Sequence, residues 1–332
     1  MKNYLTLFLI SLSLLIISAC SSEETEGTES SNEASEYPDY VSILGASDGG
    51  TFYLLASGMA NLFNNEMSEG QYSSQSTSGT NAIFQTLDAG DGEIGFGQAS
   101  MAYDAVNGEG HFEDDGLDNM LGMTYMYPNV MHVVVREATD IETPEDLEGK
   151  RVGVGEAGGG VEVDSNRLFE ALGLDMDTDI SAEHVTGAQG SDMLRNNQLD
   201  ALIMPGGLGA SNTLEILSSD DYKLISFSDE LVDDLIDLNP AYFPFEIPAD
   251  TYPNQTEDID VYAEANWLYA RADLSEDFIY EVLTVLYDNQ DHMIEVHNSI
   301  ENMTLENSQN GNRVPLHPGA ERFFEENGVE TE

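Results

Sequence analysis

The segment YVSILGASDGGTFYLLASGMANLFN, residues 40–64, sets the fold class of this chain. An apolar run from Val41 to Ala46 is followed by a glycine turn at residues 48–51 and by a helical pattern from about Phe52 to Asn64. A buried strand, a turn and a helix in this order form the repeating unit of α/β domains. The glycines of such a turn let a ligand approach the amino end of the helix.

The same alternation continues along the chain. Further strands are predicted at 72–76, 94–97, 120–125, 130–136, 151–155, 182–186, 201–205 and 267–270. Further helices are predicted at 81–88, from 99, up to 172, and at 189–197, 229–238, 276–287 and 320–327. The alternation occurs twice and predicts two α/β lobes, with several strand-to-helix loops on one edge of each sheet.

The amino-terminal residues are ordered like a secretory signal. Lys2 precedes an apolar run from Leu5 to Ile17, and the small residues Ser18 and Ala19 precede Cys20. The run is too short to span a bilayer comfortably. This order resembles the bacterial lipoprotein signal, so we predict a signal peptide at 1–19 and a lipid anchor on Cys20. Cys20 is the only cysteine, which excludes an intramolecular disulfide.

Charge separates a tether from the folded part. Residues 20–38 are acidic and nearly free of apolar side chains, which predicts a flexible tether. The whole chain has 63 Asp and Glu against 10 Lys and Arg, a formal net charge of -53. Such a surface repels nucleic acid, so no nucleic-acid partner is expected. The acidic residues are scattered, which is typical of a halophilic acidic surface.

Four segments resemble the TAXI family, the solute receptors of tripartite ATP-independent periplasmic (TRAP) transporters. They are GASDGGTFYLLASGMANL at 45–62, STSGTNAIFQTLDAGDGEIGFGQASMAYDAVNGEGHF at 76–112, YPNVMHVVVREATDIETPEDLEGKRVGVGEAGGGVE at 127–162 and VPLHPGAERFF at 314–324. The resemblance implies a two-lobed periplasmic-binding-protein-like fold of type II. Each lobe is expected to be a mostly parallel sheet flanked by helices, with the ligand cleft between the lobes. Lobe I is expected at 39–137 and 245–329, and lobe II at 138–244.

The resemblance also implies a function. The chain would be an extracytoplasmic solute-binding subunit, held by its lipid at the outer face of the cytoplasmic membrane, on the periplasmic side if an outer membrane exists. It would capture a small organic anion, such as glutamate, glutamine or a 2-oxoglutarate-like acid, and deliver it to TRAP membrane subunits, fused or separate. It would perform no chemistry. Alternatives are a ligand-sensing lipoprotein of a signalling system and an exported hydrolase or transferase on the same fold.

The candidate ligand-binding residues lie at helix amino ends, where backbone N–H groups and hydroxyls can hold a carboxylate. They are Gly50, Thr51, Phe52, Tyr53, Thr77, Ser78, Gly79, Thr80, Asn81, Gln98, Ala99, Gly158, Gly159, Gly160, Pro205, Gly206 and Tyr242. Gln98 matches a glutamine of the family, whereas Ala99 and Val161 stand where relatives often have hydroxyl side chains. The glycines also fit ordinary tight turns, and the Ser/Thr cluster also fits helix capping. For the arginines, structural ion pairs are the stronger expectation in so acidic a chain.

Cofactor, metal and catalytic motifs are weak. Gly153, Gly155 and Gly158 match the dinucleotide spacing G-x-G-x-x-G, but the first glycine lies inside a predicted strand. The histidines show no H-E-x-x-H spacing, and the segment Gly209-Ala-Ser211-Asn-Thr213 lacks the final glycine of a G-x-S-x-G elbow. No cofactor, metal or catalytic residue is therefore predicted.

Overall fold

The computed structural model describes residues 37–48, 50–113 and 116–331. The predicted signal peptide at 1–19, the lipidation site Cys20 and nearly all of the tether at 20–38 lie outside the described residues. Those assignments therefore stay predictions. The described residues fall within one compact unit that contains two sheets and two hydrophobic cores.

Strands and helices follow the predicted alternation. The strands are β1 (Tyr40–Gly45), β2 (Gln71–Ser76), β3 (Ile94–Gln98), β4 (Met120–Val130), β5 (Val133–Arg136), β6 (Arg151–Gly153), β7 (Ser181–Glu183), β8 (Ala201–Ile203), β9 (Tyr222–Leu224), β10 (Phe243–Ile247) and β11 (Ile259–Arg271). The helices are α1 (Thr51–Glu66), α2 (Thr80–Asp88), α3 (Ala99–Asn107), α4 (Gly160–Ala171), α5 (Gly187–Arg195), α6 (Ser211–Leu217), α7 (Asp229–Leu238), α8 (Glu276–Asp288), α9 (Gln290–Val296) and α10 (Pro318–Glu326). The first predicted strand and helix agree with β1 and α1 to within two residues at each end.

The first sheet has the order β10-β11-β3-β1-β2, and β4 pairs with β11 as well. Strand β1 is parallel to β2 and β3, so the carboxyl ends of these three strands lie on one edge. Helices α1, α2 and α3 begin at that edge, directly after the three strands. The first sheet thereby places three helix amino ends side by side.

The second sheet has the order β7-β6-β8-β5-β9. Strand β6 is parallel to β7 and β8, and α4 begins in the loop after β6. Strand β5 runs antiparallel to β8 and β9. The carboxyl ends of β6 and β8 lie at the same cavity as the carboxyl edge of the first sheet. Loops 156–161 after β6 and 205–207 after β8 line that cavity, together with residues that follow β1, β2 and β3.

The α/β fold of two lobes is confirmed, but the sheets are mixed and not mostly parallel. Strand β11 is antiparallel to β3, β4 and β10, and β5 is antiparallel to both of its neighbours. Both exceptions lie next to chain crossings between the lobes. A strand that enters a sheet from the other lobe approaches from the opposite edge and therefore runs against the parallel strands.

Two segments sit differently from the expected lobe boundaries. The expected lobe I ended at residue 137, whereas β5 pairs within the second sheet. Lobe I is expected to resume at residue 245, and β10 does pair with β11 in the first sheet, although Ile247 and Tyr252 are buried in the second hydrophobic core. The predicted strand at 130–136 runs from the end of β4 through β5, but the chain crosses between the lobes at Met131 and His132. His132 is fully buried there, and burial lowers its pKa to about 4.

Strands β4 and β11 connect the two lobes physically. Residues 120–127 of β4 lie in the first core, whereas Val130 lies in the second. Residues 261–263 of β11 lie in the second core, whereas Ala265 and the residues after it lie in the first. Residues 128–130 and 263–266 therefore form the junction between the lobes.

Candidate functional site

A cavity of about 500 Å³ lies between the loops of the two sheets, and we call it the cleft cavity. From the first sheet it is lined by Ala46, Ser47, Thr51, Phe52, Thr77, Ser78, Gly79, Thr80, Gln98, Tyr127, Asn129 and Asn266. From the second sheet it is lined by Glu156, Ala157, Gly158, Gly159, Gly160, Val161, Pro205, Gly206 and Gly207. Its volume is in the range, about 300–1,000 Å³, that is typical of sites for small organic ligands.

The structure brings most of the predicted binding residues to this cavity. Those that line it are Thr51, Phe52, Thr77, Ser78, Gly79, Thr80, Gln98, Gly158, Gly159, Gly160, Pro205 and Gly206. Those that do not are Gly50, Tyr53, Asn81, Ala99 and Tyr242. Ala99 and Tyr242 are buried behind the wall, and Gly50 is the N-cap of α1.

Polar residues at the junction of the lobes also line the cavity, and the sequence pattern did not predict them. Tyr127, Asn129 and Asn266 line the cavity from β4 and β11. The predicted strand in this region began only at Trp267, which left Asn266 and Glu264 outside it. The signal was present as two polar residues, Glu264 and Asn266, spaced by two within the apolar run VYAEANWLYA.

The amino ends of α1, α2, α3 and α4 meet at the cleft cavity. None of their N-cap residues makes a side-chain capping hydrogen bond. These residues are Gly50, Gly79, Gln98 and Gly159. Away from the cavity, hydroxyl side chains cap α5, α7 and α8, whereas α6 and α9 have no side-chain cap. At the cavity, helix amino ends therefore present their N–H groups and positive dipole ends without a hydroxyl cap.

Two of these four ends already hold a carboxylate of the protein. The backbone N–H of Ser100, in the first turn of α3, donates to Glu264 Oε2 at 3.1 Å. The N–H of Gly158, just before α4, donates to Glu162 Oε2 at 2.5 Å. Helices α1 and α2 have no acidic residue in the first turn. The ends of α1 and α2 are thus the two that suit an anion from outside the chain.

The side chains that line the cavity are nearly uncharged. Among the described lining residues, Glu156 is the only charged one, and none is Lys, Arg or His. A carboxylate in this cavity would therefore be bound by backbone N–H groups and hydroxyls.

Thr77 holds the loop before α2 in place. Its hydroxyl donates to Gly45 O at 2.9 Å and accepts from Gly79 N at 3.1 Å. These bonds tie the loop to the end of β1. Thr77 thus has a structural role that is independent of a ligand, while the N–H groups of the α2 amino end stay uncapped by side chains.

Glu264 lies beneath the cavity at the junction of the lobes and is only 2% exposed. Its Oε1 accepts from Gln98 Nε2 at 2.7 Å and from Asn129 Nδ2 at 3.2 Å. Gln98 Nε2 also donates to Asp164 Oδ2 at 2.9 Å. Glu264 and Gln98 belong to the first sheet and its helices, whereas Asp164 lies on α4, so this contact joins the two lobes.

Arg167 and Tyr242 continue this buried chain of contacts. Tyr242 donates to Asp164 Oδ1 at 2.7 Å, and Arg167 donates to the Tyr242 hydroxyl at 3.1 Å and to the carboxylate of Asp104. Tyr242 was expected to contact ligand, but its hydroxyl is committed to these partners. We call the set Gln98, Asp104, Asp164, Arg167, Tyr242 and Glu264 the interlobe network.

The interlobe network contains three carboxylates and a single basic side chain. Burial and the neighbouring Glu264 raise the pKa of Asp164 well above its usual range, although Tyr242 and Arg167 oppose the shift. Burial also raises the pKa of Asp104, opposed by Arg167. The network therefore favours a protonated carboxyl group at Asp164.

A second cavity, of about 570 Å³, adjoins Arg167. Its acidic lining residues are Asp104, Glu109, Glu162, Glu170 and Asp177. The excess of carboxylates disfavours an anion there. The cleft cavity is accordingly the better candidate site.

These features define the class of protein. Two α/β lobes, joined by long strands and enclosing a cavity at the carboxyl edges of their sheets, form the architecture of solute-binding proteins. The chain belongs to the NMT1-like family, which matches residues 43–328. The two-lobed fold is that of periplasmic binding proteins.

Three solved structures are similar to this chain, and the two with TM-scores above 0.5 support the fold. PhnD1 from Prochlorococcus marinus (MIT 9301), in complex with methylphosphonate, has 10% identity and a TM-score of 0.55 over 80% of this chain and 92% of that chain. A protein from Bordetella bronchiseptica RB50 has 14% identity and a TM-score of 0.51 over 87% and 89%. The periplasmic aliphatic sulphonate binding protein SsuA from Escherichia coli has 14% identity and a TM-score of 0.48 over 81% and 76%.

Neither a membrane-spanning helix nor a metal-binding cluster occurs in the part of the chain that the structure describes. None of its helices combines the length and the apolar character needed to cross a membrane. Nor does this part contain a group of three or more His, Cys, Asp or Glu side chains arranged to hold a metal ion.

Proposed function

We propose that this protein captures a small organic anion in the cleft cavity and delivers it to the membrane subunits of a transport system. One observation carries the proposal. The amino ends of α1 and α2 reach the cavity with neither a capping side chain nor an acidic residue in the first turn. Rigid backbone N–H groups and the helix dipole favour a carboxylate at such ends.

The ligand classes that fit best are glutamate, glutamine and 2-oxoglutarate-like acids. Their size suits a cavity of about 500 Å³. Their distal polar groups would meet the uncharged polar residues of the wall, such as Asn129, Asn266 and Tyr127.

A thermal-shift screen tests ligand capture. The purified protein is heated in molar salt with amino acids, 2-oxo acids, dicarboxylates and sugars, because a ligand that binds only the folded state raises Tm. Stabilisation by one or more of the acids is expected. A response to sugars alone, with every acid silent, would contradict the proposal.

A matched pair of proline variants tests the role of the α1 amino end. Thr51→Pro removes one N–H at the first helical position, where proline is tolerated, and the preceding Gly50 already has an extended backbone with φ -75 and ψ 158. We expect affinity for the acid to fall about tenfold. Asp229→Pro makes the same change in α7, whose N-cap Ser228 has φ -77 and ψ 153, and should leave affinity unchanged. Thr51→Ala separates the hydroxyl from the N–H.

We assign the transport system to the TAXI type of TRAP transporter. The support is the order of four characteristic segments between residues 45 and 324, which span nearly the whole folded part. The assignment predicts that membrane subunits, fused or separate, take up the ligand from this protein without ATP. Uptake into proteoliposomes that requires ATP would overturn the TRAP assignment and leave ligand capture standing.

We place the protein outside the cytoplasm, held to the membrane by lipid on Cys20. The support is the signal-like order of residues 1–20. Metabolic labelling with a radioactive fatty acid should mark the wild-type protein and not the Cys20→Ala variant. Equal labelling of both would contradict the anchor.

The net charge of -53 predicts an unusual salt response. A strongly negative surface slows the approach of an anion at low salt, and salt screens that repulsion. Binding should therefore tighten or accelerate as salt rises toward molar. A steep fall of affinity with salt would contradict the halophilic interpretation of the surface.

A further inference from the structure

Glu264 contacts two of the amide side chains that line the cleft cavity. Its Oε1 lies 2.7 Å from Gln98 Nε2 and 3.2 Å from Asn129 Nδ2. The other oxygen, Oε2, accepts from the Ser100 N–H at the start of α3. With 2% exposure, the carboxyl group is held on both oxygens by the protein.

These contacts fix the direction of both amides. Both oxygens of Glu264 accept hydrogen bonds from N–H groups, so each amide turns its NH₂ group toward Glu264. The carbonyl oxygen of a planar amide then points away from Glu264. Gln98 and Asn129 thus turn their oxygens, and not their NH₂ groups, toward other partners.

The two amide oxygens differ in their access to the cavity. Gln98 Oε1 accepts from the Thr80 hydroxyl at 3.3 Å, and a Cβ atom at Gly160 would lie only 1.7 Å from it, so Thr80 and Gly160 cover this oxygen. Among the described residues, Asn129 Oδ1 accepts no hydrogen bond, and Asn129 lines the cavity. The Asn129 oxygen is therefore the acceptor that is available to a ligand.

The acidic groups behind this wall outnumber the basic ones even with Asp164 protonated. Glu264 lies directly behind Gln98 and Asn129, and the basic side chain of the network, Arg167, is engaged by Tyr242 and Asp104. A positively charged group in front of the Asn129 oxygen would be attracted by that oxygen, whereas a carbonyl oxygen would be repelled.

We infer that Glu264 is a positioning residue that determines specificity: by orienting Asn129 it makes the cavity select an acid with an amino group beside its carboxylate over the matched 2-oxo acid. The carboxylate occupies the α1 and α2 amino ends, and the ammonium group donates to the Asn129 amide oxygen. This inference rests on the proposed function, since it takes anion capture in the cleft cavity as given.

Isothermal titration of the unmodified protein in molar salt tests the inference directly. The probes are L-glutamate, L-2-hydroxyglutarate and 2-oxoglutarate, which differ only at the carbon beside the carboxylate, together with alanine and pyruvate. In each amino and oxo pair that binds, we expect the amino acid to bind roughly tenfold or more tightly, with the hydroxy acid between. A 2-oxo acid that binds as tightly as its amino acid would overturn the inference and leave the proposed function intact.

The variant Glu264→Gln adds a second test. The neutral amide no longer forces both NH₂ groups in one direction, so the ratio of amino to oxo affinity should fall toward one. Asp104→Asn is the matched control, because Asp104 belongs to the same buried network but contacts neither Gln98 nor Asn129. It should change stability and preserve the ratio.

The outcomes distinguish a failure of the inference about Glu264 from a failure of the proposed function. A ratio preserved in a folded Glu264→Gln variant would overturn the role of Glu264. If neither amino nor oxo acids bind, the proposed function fails and the inference falls with it. If the variant does not fold, the titration of the unmodified protein still decides the selectivity.

Discussion

Two groups of charged residues in this protein have opposite compositions. The interlobe network has three buried carboxylates for one arginine. On the second sheet, Asp200 has two arginines. It accepts from Arg151 Nε at 2.9 Å, from Arg151 Nη2 at 2.7 Å and from Arg136 Nη2 at 2.8 Å.

The pKa values of the two groups move in opposite directions for this reason. Hydrogen bonds from Arg151 and Arg136 hold the pKa of Asp200 well below its usual range. Burial and the charge of Glu264 raise the pKa of Asp164. An excess of cations near the surface keeps a carboxylate ionised, whereas an excess of acids in the interior favours protonation. The surface group stabilises the fold, and the interior group keeps two further carboxyl groups, Asp104 and Glu264, against one arginine behind the cavity.

The largest effect should follow from removing the cation of the interlobe network. Arg167→Met leaves the carboxyl of Asp104 buried without its partner, and such a loss costs about 3–5 kcal/mol. Urea unfolding at neutral pH measures it. Arg195→Met is the control, since Arg195 pairs with the exposed Asp192 and Glu215 and should cost less than about 0.5 kcal/mol. Similar losses of unfolding free energy in both variants would contradict the expected difference between the buried and the exposed ion pairs.

A smaller effect is expected at the surface group. Asp200→Asn should cost about 1–2 kcal/mol at neutral pH, a value kept low because the partly exposed Arg151 is screened by solvent. The pKa of Asp200 is lowered in the folded state, so its stabilisation is present above the unfolded value of about 4 and is lost as pH falls below it. The difference in unfolding free energy between wild type and variant should therefore shrink progressively as pH falls below about 4. A difference that stays constant as pH falls would refute the ionic origin.

The smallest effect is expected for Asp164→Asn, despite its deeper burial. Because the folded state favours the protonated acid, a neutral amide should cost less than about 1 kcal/mol at neutral pH. A raised pKa means that the wild type loses stability as pH rises above the unfolded value of about 4, and the amide does not. The variant should therefore gain on the wild type between pH 4 and pH 8. A gap that widens with pH in favour of the wild type would show that Asp164 is ionised when folded.

Much of the cleft wall could be predicted from sequence because local rules govern it. Glycine at a strand end followed by a helix, as at Gly79 or Gly159, places N–H groups at a sheet edge whatever the rest of the chain does. The same rules do not say which helix ends are already occupied. Glu264 occupies the end of α3 from a strand far along the chain.

The floor of the cavity escaped prediction for a related reason. In β11 the alternation of side chains is hidden, since apolar residues on both faces are buried where the strand passes between two cores. Glu264 and Asn266 therefore read as interruptions of a strand and not as members of a site. Tyr242, in contrast, was predicted to bind ligand but is buried away from the cavity. A tyrosine after a helix gives no sign in the sequence that Asp164 and Arg167 will bind its hydroxyl.

The sequence by itself determined the α/β alternation, the glycine loops and the acidic surface, since strand and helix periods and total charge are properties of neighbouring residues and of composition. Only the tertiary structure decided the lobe boundary at residues 131–132, the mixed sheets and the interlobe network. These depend on contacts between residues far apart in the chain, and a buried charge or amide takes its role from the partners that folding places beside it.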